Sequence, residues 1–264
     1  MSKWRPSELN CTYVIGDVHG MVAELELIFS RILPLRKSDG GHDQLVMLGD
    51  YIDNRPESHQ VLDMLLEVQD ACGDWAVFLK GNHEAMLIDA LKESLSSADY
   101  LQWMKSGGDQ TLSGYLQRAG TPMDNPYEIA HQRLSAFIPN EHAEFLNTLA
   151  TYYETDSHIF VHAACDPARS MEDQKDSEHI LWDVNMSMMQ RPKGMIRRAG
   201  VEQTWEKTIV VGHNSTHKGP YRNGKFMMLD ASFMSPPGVA VGEMKSGEAM
   251  IARVKKQRLV QLQL

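Results

Sequence analysis

The chain has 264 residues, 42% hydrophobic and 23% charged, with 26 Lys and Arg against 35 Asp and Glu for a formal net charge of −9. This is globular rather than disordered or fibrous composition. An acidic chain without a basic block argues against a general nucleic-acid binder or a protein of anionic membrane surfaces, both of which rely on Lys and Arg.

No apolar run approaches the ~18 residues of a spanning helix. The N-terminal MSKWRPSELN lacks the apolar stretch of a signal peptide. The expectation is a soluble, cytoplasmic protein, residues 1–264 forming one domain, with no nucleic-acid and no membrane partner. Three widely spaced cysteines, Cys11, Cys72 and Cys165, form no CxxC pair, so they read as small core residues rather than a disulfide framework or thiolate zinc site.

In chain order, Thr12–Ile15, Gln44–Leu48, Trp75–Leu79, Ser157–Val161 and Thr208–Val211 are short apolar runs bounded by glycine or polar residues, the pattern of central strands in an α/β protein. Between the first two, Val22, Leu25, Ile28, Phe29 and Ile32 recur at helical spacing before Pro34. Between the second and third, Val61, Leu62, Leu65, Leu66 and Val68 do the same after Ser58, a candidate N-cap. Alternation of strand and helix predicts α/β architecture. A helical insertion is predicted over about 84–153, with helices over 85–95, 100–105, 110–118, 127–137 and 141–149. Residues 173–178 and 191–198 read as loops. The last third predicts short strands at 226–229, 238–241 and 249–254, forming a second sheet.

Each early strand runs into a polar cluster. The strand ends offer Asp17, His19, Asp50, Asp53, Asn82, His83, His162 and His213, and α/β sheets gather ligands beyond the carboxyl ends of their strands. Carboxylates and imidazoles suit a borderline divalent metal such as manganese, iron or zinc. The nitrogen content is too high for an oxygen-rich calcium or magnesium cage. The ligand count predicts two ions: Asp17, His19 and Asp50 on one, and Asp50, Asn82, His162 and His213 on the other. Such a pair clamps the oxygens of a phosphoryl displacement and acidifies a shared water, so no Ser or Cys nucleophile is needed. His83, one residue past a ligand, is the candidate proton donor. Asp53, three residues past Asp50, is its partner.

Gly16-Asp-Val-His-Gly20, Gly49-Asp-Tyr-Ile-Asp53 and Gly81-Asn-His-Glu84 begin 33 and 32 residues apart. Together they resemble the phosphoprotein phosphatase branch of the calcineurin-like metallophosphoesterases, whose motifs run GDxHG, GDxxDRG and GNHE. Phe160-Val-His-Ala163 is similar to that family's FVHAG, Gly212-His213 to its GHT, and the stretch from Trp103 to Leu112 to the W..NGG..TL element of its short bacterial members. The resemblance spans about Tyr13 to Ala231. It implies a four-layer αββα sandwich of two mixed sheets flanked by helices, a dinuclear centre with manganese as the first candidate and iron or zinc behind it, and hydrolysis of phosphoesters. It assigns the same ligands, with His83 as general acid and Asp53 as its partner.

The sequence departs from the family where arginines grip the substrate phosphate. The DRG arginine is replaced by Asn54, with Arg55 in the glycine slot, and Val184 stands where an LWxR element carries its arginine. Arginine is the bidentate phosphate clamp. Arg55 and Asn54 are therefore the candidate substrate-binding residues, with Arg191, Lys193, Arg197 or Arg198 as a second cation. Trp103 with Gly107 and Gly108 reads as packing and a turn. The leading expectation is a protein serine/threonine phosphatase, with tyrosine as a further phosphoacceptor. One alternative keeps the centre and hydrolyses a phosphorylated small molecule, a symmetrical dinucleoside tetraphosphate. Another is a degenerate protein that binds a phosphorylated ligand without turnover.

Overall fold

A computed structural model of the chain describes residues 11–35, 44–92, 95–129, 131–166, 169–183, 207–214, 220–232, 237–245, 248–255 and 258–262. Its strands are β1 (Thr12–Ile15), β2 (Gln44–Met47), β3 (Ala76–Phe78), β4 (Tyr152–Glu154), β5 (His158–Val161), β6 (Thr208–Val211), β7 (Tyr221–Asn223), β8 (Phe226–Met228), β9 (Val239–Lys245), β10 (Glu248–Lys255) and β11 (Arg258–Leu262). They form two mixed sheets. The first runs β11-β10-β9-β1-β2-β3 and the second β4-β5-β6-β8-β7. Strands β1, β2 and β3 are parallel, as are β5, β6 and β8.

Alternation along each central strand explains why two sheets stack. Side chains one apart point to opposite faces. Tyr13, Ile15, Leu45 and Met47 enter one apolar cluster with Leu25, Ile28, Val61 and Leu65 of the helices. Val14, Val46 and Leu48 point the other way, against Phe160, Val210 and Met227 of the second sheet. The far face of that sheet buries Ile209, Val211 and Met228 with Ile180 and Met171. Strands apolar on both faces belong between covering layers, and the expected αββα order follows.

The helices are α1 (Val22–Ile32), α2 (Ser58–Cys72), α3 (Asn82–Ala90), α4 (Ser97–Trp103), α5 (Asp109–Arg118), α6 (Asn140–Thr148) and α7 (His179–Trp182). Ser58 is the first helical residue of α2 rather than its cap, and its hydroxyl donates to the Arg55 carbonyl at 2.7 Å. The insertion contains α3 to α6. A continuous helix over 127–137 does not form; two short 3-10 turns stand there. Ile129 adopts an extended ψ of 115°, and its carbonyl accepts from the Tyr100 hydroxyl at 3.0 Å instead of a later amide of its own segment. Buried His142 ties the insertion to α2, with Tyr115 Oη 2.6 Å from its Nδ1 and Asp63 Oδ1 3.0 Å from its Nε2.

The last third does not make a second sheet by itself. Strand β9 pairs antiparallel with β1 and extends the first sheet through β10 and β11, while β8 joins the second. Cys11, Cys72 and Cys165 are all buried. Among the described residues no helix is long and apolar enough to cross a membrane.

Candidate metal centre

The carboxyl ends of the parallel strands of both sheets meet at one place. Asp17 and His19 follow β1, Asp50 and Asp53 follow β2, Asn82 and His83 follow β3, His162 follows β5, and His213 follows β6. Asp17, His19, Asp50, Asp53, Asn82 and His162 are buried, and His83 and His213 are partly exposed.

Local backbone geometry is unusual in the same places. The described non-glycine residues with positive φ are His19, Asp50, Asp53, Asn54 and His213, at 44° to 70°. Asp, Asn and His enter this region more readily than bulkier residues. Residues held there cluster at functional sites, where surrounding structure over-determines them. Glu84 supplies much of that structure. Its carboxylate accepts from the amides of Asp50 and Tyr51 at 2.8 Å each and from Gly81 at 2.9 Å, so the second and third loops are tied by one buried side chain. Gly49 is required where they touch: at φ 101°, a Cβ there would stand 2.5 Å from the Gly81 nitrogen.

The two buried imidazoles of the centre, His19 and His162, each have one nitrogen committed to the backbone. His19 Nδ1 lies 2.8 Å from the Ile52 carbonyl, which leaves Nε2 facing Asp50 Oδ2 at 3.6 Å. His162 Nδ1 lies 2.8 Å from the Leu48 carbonyl, which leaves Nε2 at 2.9 Å from Asn82 Oδ1 and 3.3 Å from Asp50 Oδ1. His213 Nδ1 is also 2.9 Å from Asn82 Oδ1, and its backbone amide donates to Asp17. Anchoring one ring nitrogen fixes which one remains for a ligand.

Burial pushes His19 down to about 4. It does the same to His213, aided by the charge of His162. Both rings are therefore neutral donors. Burial would raise Asp50, but the His162, His83 and His19 imidazoles overcome it and hold its carboxyl well below the usual range.

This donor set fits divalent cations. Two groupings lie within 4.8 Å, His19 with Asp50 and His83, and Asp50 with His162 and His213, so Asp50 stands in both. With its Nδ1–H given to Leu48, His162 Nε2 approaches Asn82 Oδ1 and Asp50 Oδ1 favourably only with a second proton or a cation in its place. Asp230, fully buried after β8, has Oδ1 held by the Ser232 amide and hydroxyl while Oδ2 has no hydrogen-bond partner. Burial, with Asp230 and Asp50 nearby, lifts Asp17 well above the usual carboxylate value. Among the described residues, no Lys or Arg ion pair offsets Asp17, Asp50 or Asp230. Buried negative charge of this density demands compensation. Carboxylate, amide oxygen and imidazole, without thiolate, are the donors of borderline divalent ions.

Within the first grouping, His83 Nδ1 is 2.7 Å from Asp53 Oδ2. Burial would depress His83, but Asp50 and Asp53 raise it to about 9. Asp53 is held in turn by Trp103 Nε1 at 3.1 Å and Thr111 Oγ1 at 2.7 Å. Trp103, expected only to pack, therefore reaches the centre.

Arg55 and Asn54 both turn onto His19. Arg55 Nη1 donates to the His19 carbonyl at 2.7 Å, and Asn54 Nδ2 lies 3.2 Å from His19 Nδ1. Arg55→Ala is expected to cost about 1.5–3 kcal/mol of stability, the range for a hydrogen bond to a charged group, read as a lower Tm of metal-free protein. Unchanged stability with a raised KM would instead make Arg55 a substrate ligand. Val184 and the cations Arg191, Lys193, Arg197 and Arg198 lie outside the described residues. Glu84 and Asp230 were not among the predicted site residues. The signal for Asp230 is the one that marked the others, an apolar run, Phe226–Leu229, ending in a carboxylate.

A family model described as calcineurin-like phosphoesterase matches residues 12–231. Serine/threonine-protein phosphatase 2 of Escherichia coli is 38% identical over 97 residues, 37% of this chain and 38% of that protein. Serine/threonine-protein phosphatase 1 of Salmonella typhimurium is 30% identical over 172 residues, 64% of this chain and 67% of that protein. A symmetrical bis(5'-nucleosyl)-tetraphosphatase of Nitrosospira multiformis is 29% identical over 141 residues, 52% of this chain and 48% of that protein. The matched stretches thus span about two fifths to two thirds of these relatives' own lengths.

Proposed function

The chain belongs to the calcineurin-like phosphoesterase family, and from that premise we propose that this phosphoester hydrolase is a protein phosphatase acting on phosphoserine or phosphothreonine. We assign Asp17, His19 and Asp50 to one divalent ion, and Asp50, Asn82, His162 and His213 to the other, with manganese the first metal to test. When bound, such ions neutralise phosphoryl oxygens and lower the pKa of a water. The chain's own part is orientation and proton delivery. His83, with Nδ1 given to Asp53, has Nε2 left to donate the proton to the leaving oxygen. Glu84 keeps the Asp50 loop in place, and Arg55 braces the His19 loop.

The observation that carries the substrate class is the charge beside the centre. A cavity of about 410 Å³ next to Gly20 is lined by Met21, Val22, Glu24, Arg55, Glu57 and Pro237 among others. Its walls carry two carboxylates to one guanidinium; burial lowers the pKa of that guanidinium, and Glu24 and Glu57 offset this only in part. A single phosphate on a neutral or basic peptide suits such walls; a four-phosphate chain is repelled by them. The tetraphosphatase-named relative favours the other reading, so the two are tested together. With manganese-loaded protein, kcat/KM for phosphoserine and phosphothreonine peptides is expected to exceed that for diadenosine tetraphosphate at least about tenfold, a difference of about 1.4 kcal/mol. The reverse order would replace the phosphatase with the nucleotide hydrolase.

A further inference from the structure

We propose that Trp103 and Thr111, both from the helical insertion, are positioning residues that clamp the two oxygens of Asp53 and so aim His83; this rests on the reading of His83 as proton donor. Asp53 is fully buried and both of its carboxylate oxygens accept hydrogen bonds. Oδ2 accepts from His83 Nδ1 at 2.7 Å and from the Trp103 indole at 3.1 Å. Oδ1 accepts from the Thr111 hydroxyl at 2.7 Å. The same hydroxyl oxygen accepts the Asp53 amide at 2.9 Å. Thr111 therefore holds Asp53 at both side chain and backbone, at a residue whose φ is 70°.

The chain between these two residues is built for convergence. Trp103 ends α4 and Thr111 lies in the first turn of α5. Between them Gly107 takes φ 104° and its carbonyl accepts the Asn54 amide at 3.1 Å. A Cβ on Gly108 would stand 2.3 Å from the Trp103 ring. The double glycine lets an indole from one helix and a hydroxyl from the next reach one carboxylate. A carboxylate with both oxygens fixed cannot rotate away from its imidazole. Groups behind a functional histidine commonly set its orientation, and buried polar networks act cooperatively.

Packing and positioning predict opposite orders for two variants. Thr111→Val keeps the buried volume and removes the hydroxyl. Thr111→Ser keeps the hydroxyl and removes a methyl group. If Thr111 only packs, Ser is the worse variant. If it positions Asp53, Val is.

The experiment measures kcat for aryl phosphates of rising leaving-group pKa, with metal content checked in each variant. It also records the His83 Nδ1–H and Trp103 indole N–H resonances in metal-free protein. Thr111→Val is expected to lose about 10–100-fold with poor leaving groups and under threefold with good ones. Its metal content should be unchanged and its His83 Nδ1–H resonance shifted or lost, while Thr111→Ser stays close to the parent. Trp103→Phe, which keeps most of the ring, is expected to follow Thr111→Val and serves if that variant fails to fold. Serine worse than valine overturns the proposal. So does a parent-like leaving-group dependence in Thr111→Val beside a steepened one in His83→Asn. If His83→Asn itself shows no steepening, the proton-donor reading has failed, and this inference with it.

Discussion

Asp50→Asn is expected to fold, to bind at most one divalent ion after dialysis, and to lose at least about a thousandfold in kcat, a barrier increase of about 4 kcal/mol. The expectation follows from where its two oxygens point. Oδ1 is 3.3 Å from His162 Nε2 and accepts the His83 amide at 3.2 Å, and Oδ2 is 3.6 Å from His19 Nε2. One carboxylate thus serves both ligand groupings. An amide of the same shape offers one oxygen and turns an N–H₂ group toward the other set, so it can serve only one. Folding should survive, because the Glu84 contacts to this loop use the backbone amides of Asp50 and Tyr51, which the substitution leaves intact. Metal analysis and kcat measured on the same sample provide the check. A variant that keeps two ions and more than a tenth of the activity would remove Asp50 from its bridging place.

The strand ends were legible because apolar runs followed by glycine and polar residues mark where buried strands leave a sheet. Asp17, His19, Asp50, Asn82, His162 and His213 needed only that pattern, and the structure brings all of them together. Sheet membership was less legible. Strand β9 looks in sequence like the end strands around it, yet it pairs with β1 more than 220 residues earlier, and local pattern carries no information about such a partner. The same limit hid Thr111 and Trp103. Their hydrogen bonds to Asp53 cross 58 and 50 positions, and a buried Thr or Trp on a helix looks the same in sequence whether or not its polar atom is used. Glu84 was visible as the last letter of a motif, but its work on four backbone amides is a property of the folded loops. Arg55 shows the converse: in sequence, a cation beside a phosphate site reads as a clamp, and in the structure its Nη1 donates to the His19 carbonyl, a contact that no local pattern announces.

His83 also occurs in a ligand grouping with His19 and Asp50, so proton donor and metal ligand are rival roles that one substitution separates. His83 Nε2 is 3.9 Å from Asp50 Oδ2, farther than the anchored rings stand from their partners. Its other nitrogen goes to a carboxylate rather than to a backbone carbonyl. A charged partner behind the ring favours an imidazole that carries and delivers a proton, whereas His19 and His162 are backed by carbonyls, which leaves Nε2 of each to face a ligand. His83→Asn is therefore expected to retain both ions and to lose about 10²–10⁴ in kcat on poor leaving groups, the usual contribution of general acid catalysis. With leaving groups that depart unaided, the loss should shrink to a few-fold. If one ion disappears with the imidazole and the loss is the same for every leaving group, His83 is a ligand and the leaving oxygen draws its proton from elsewhere.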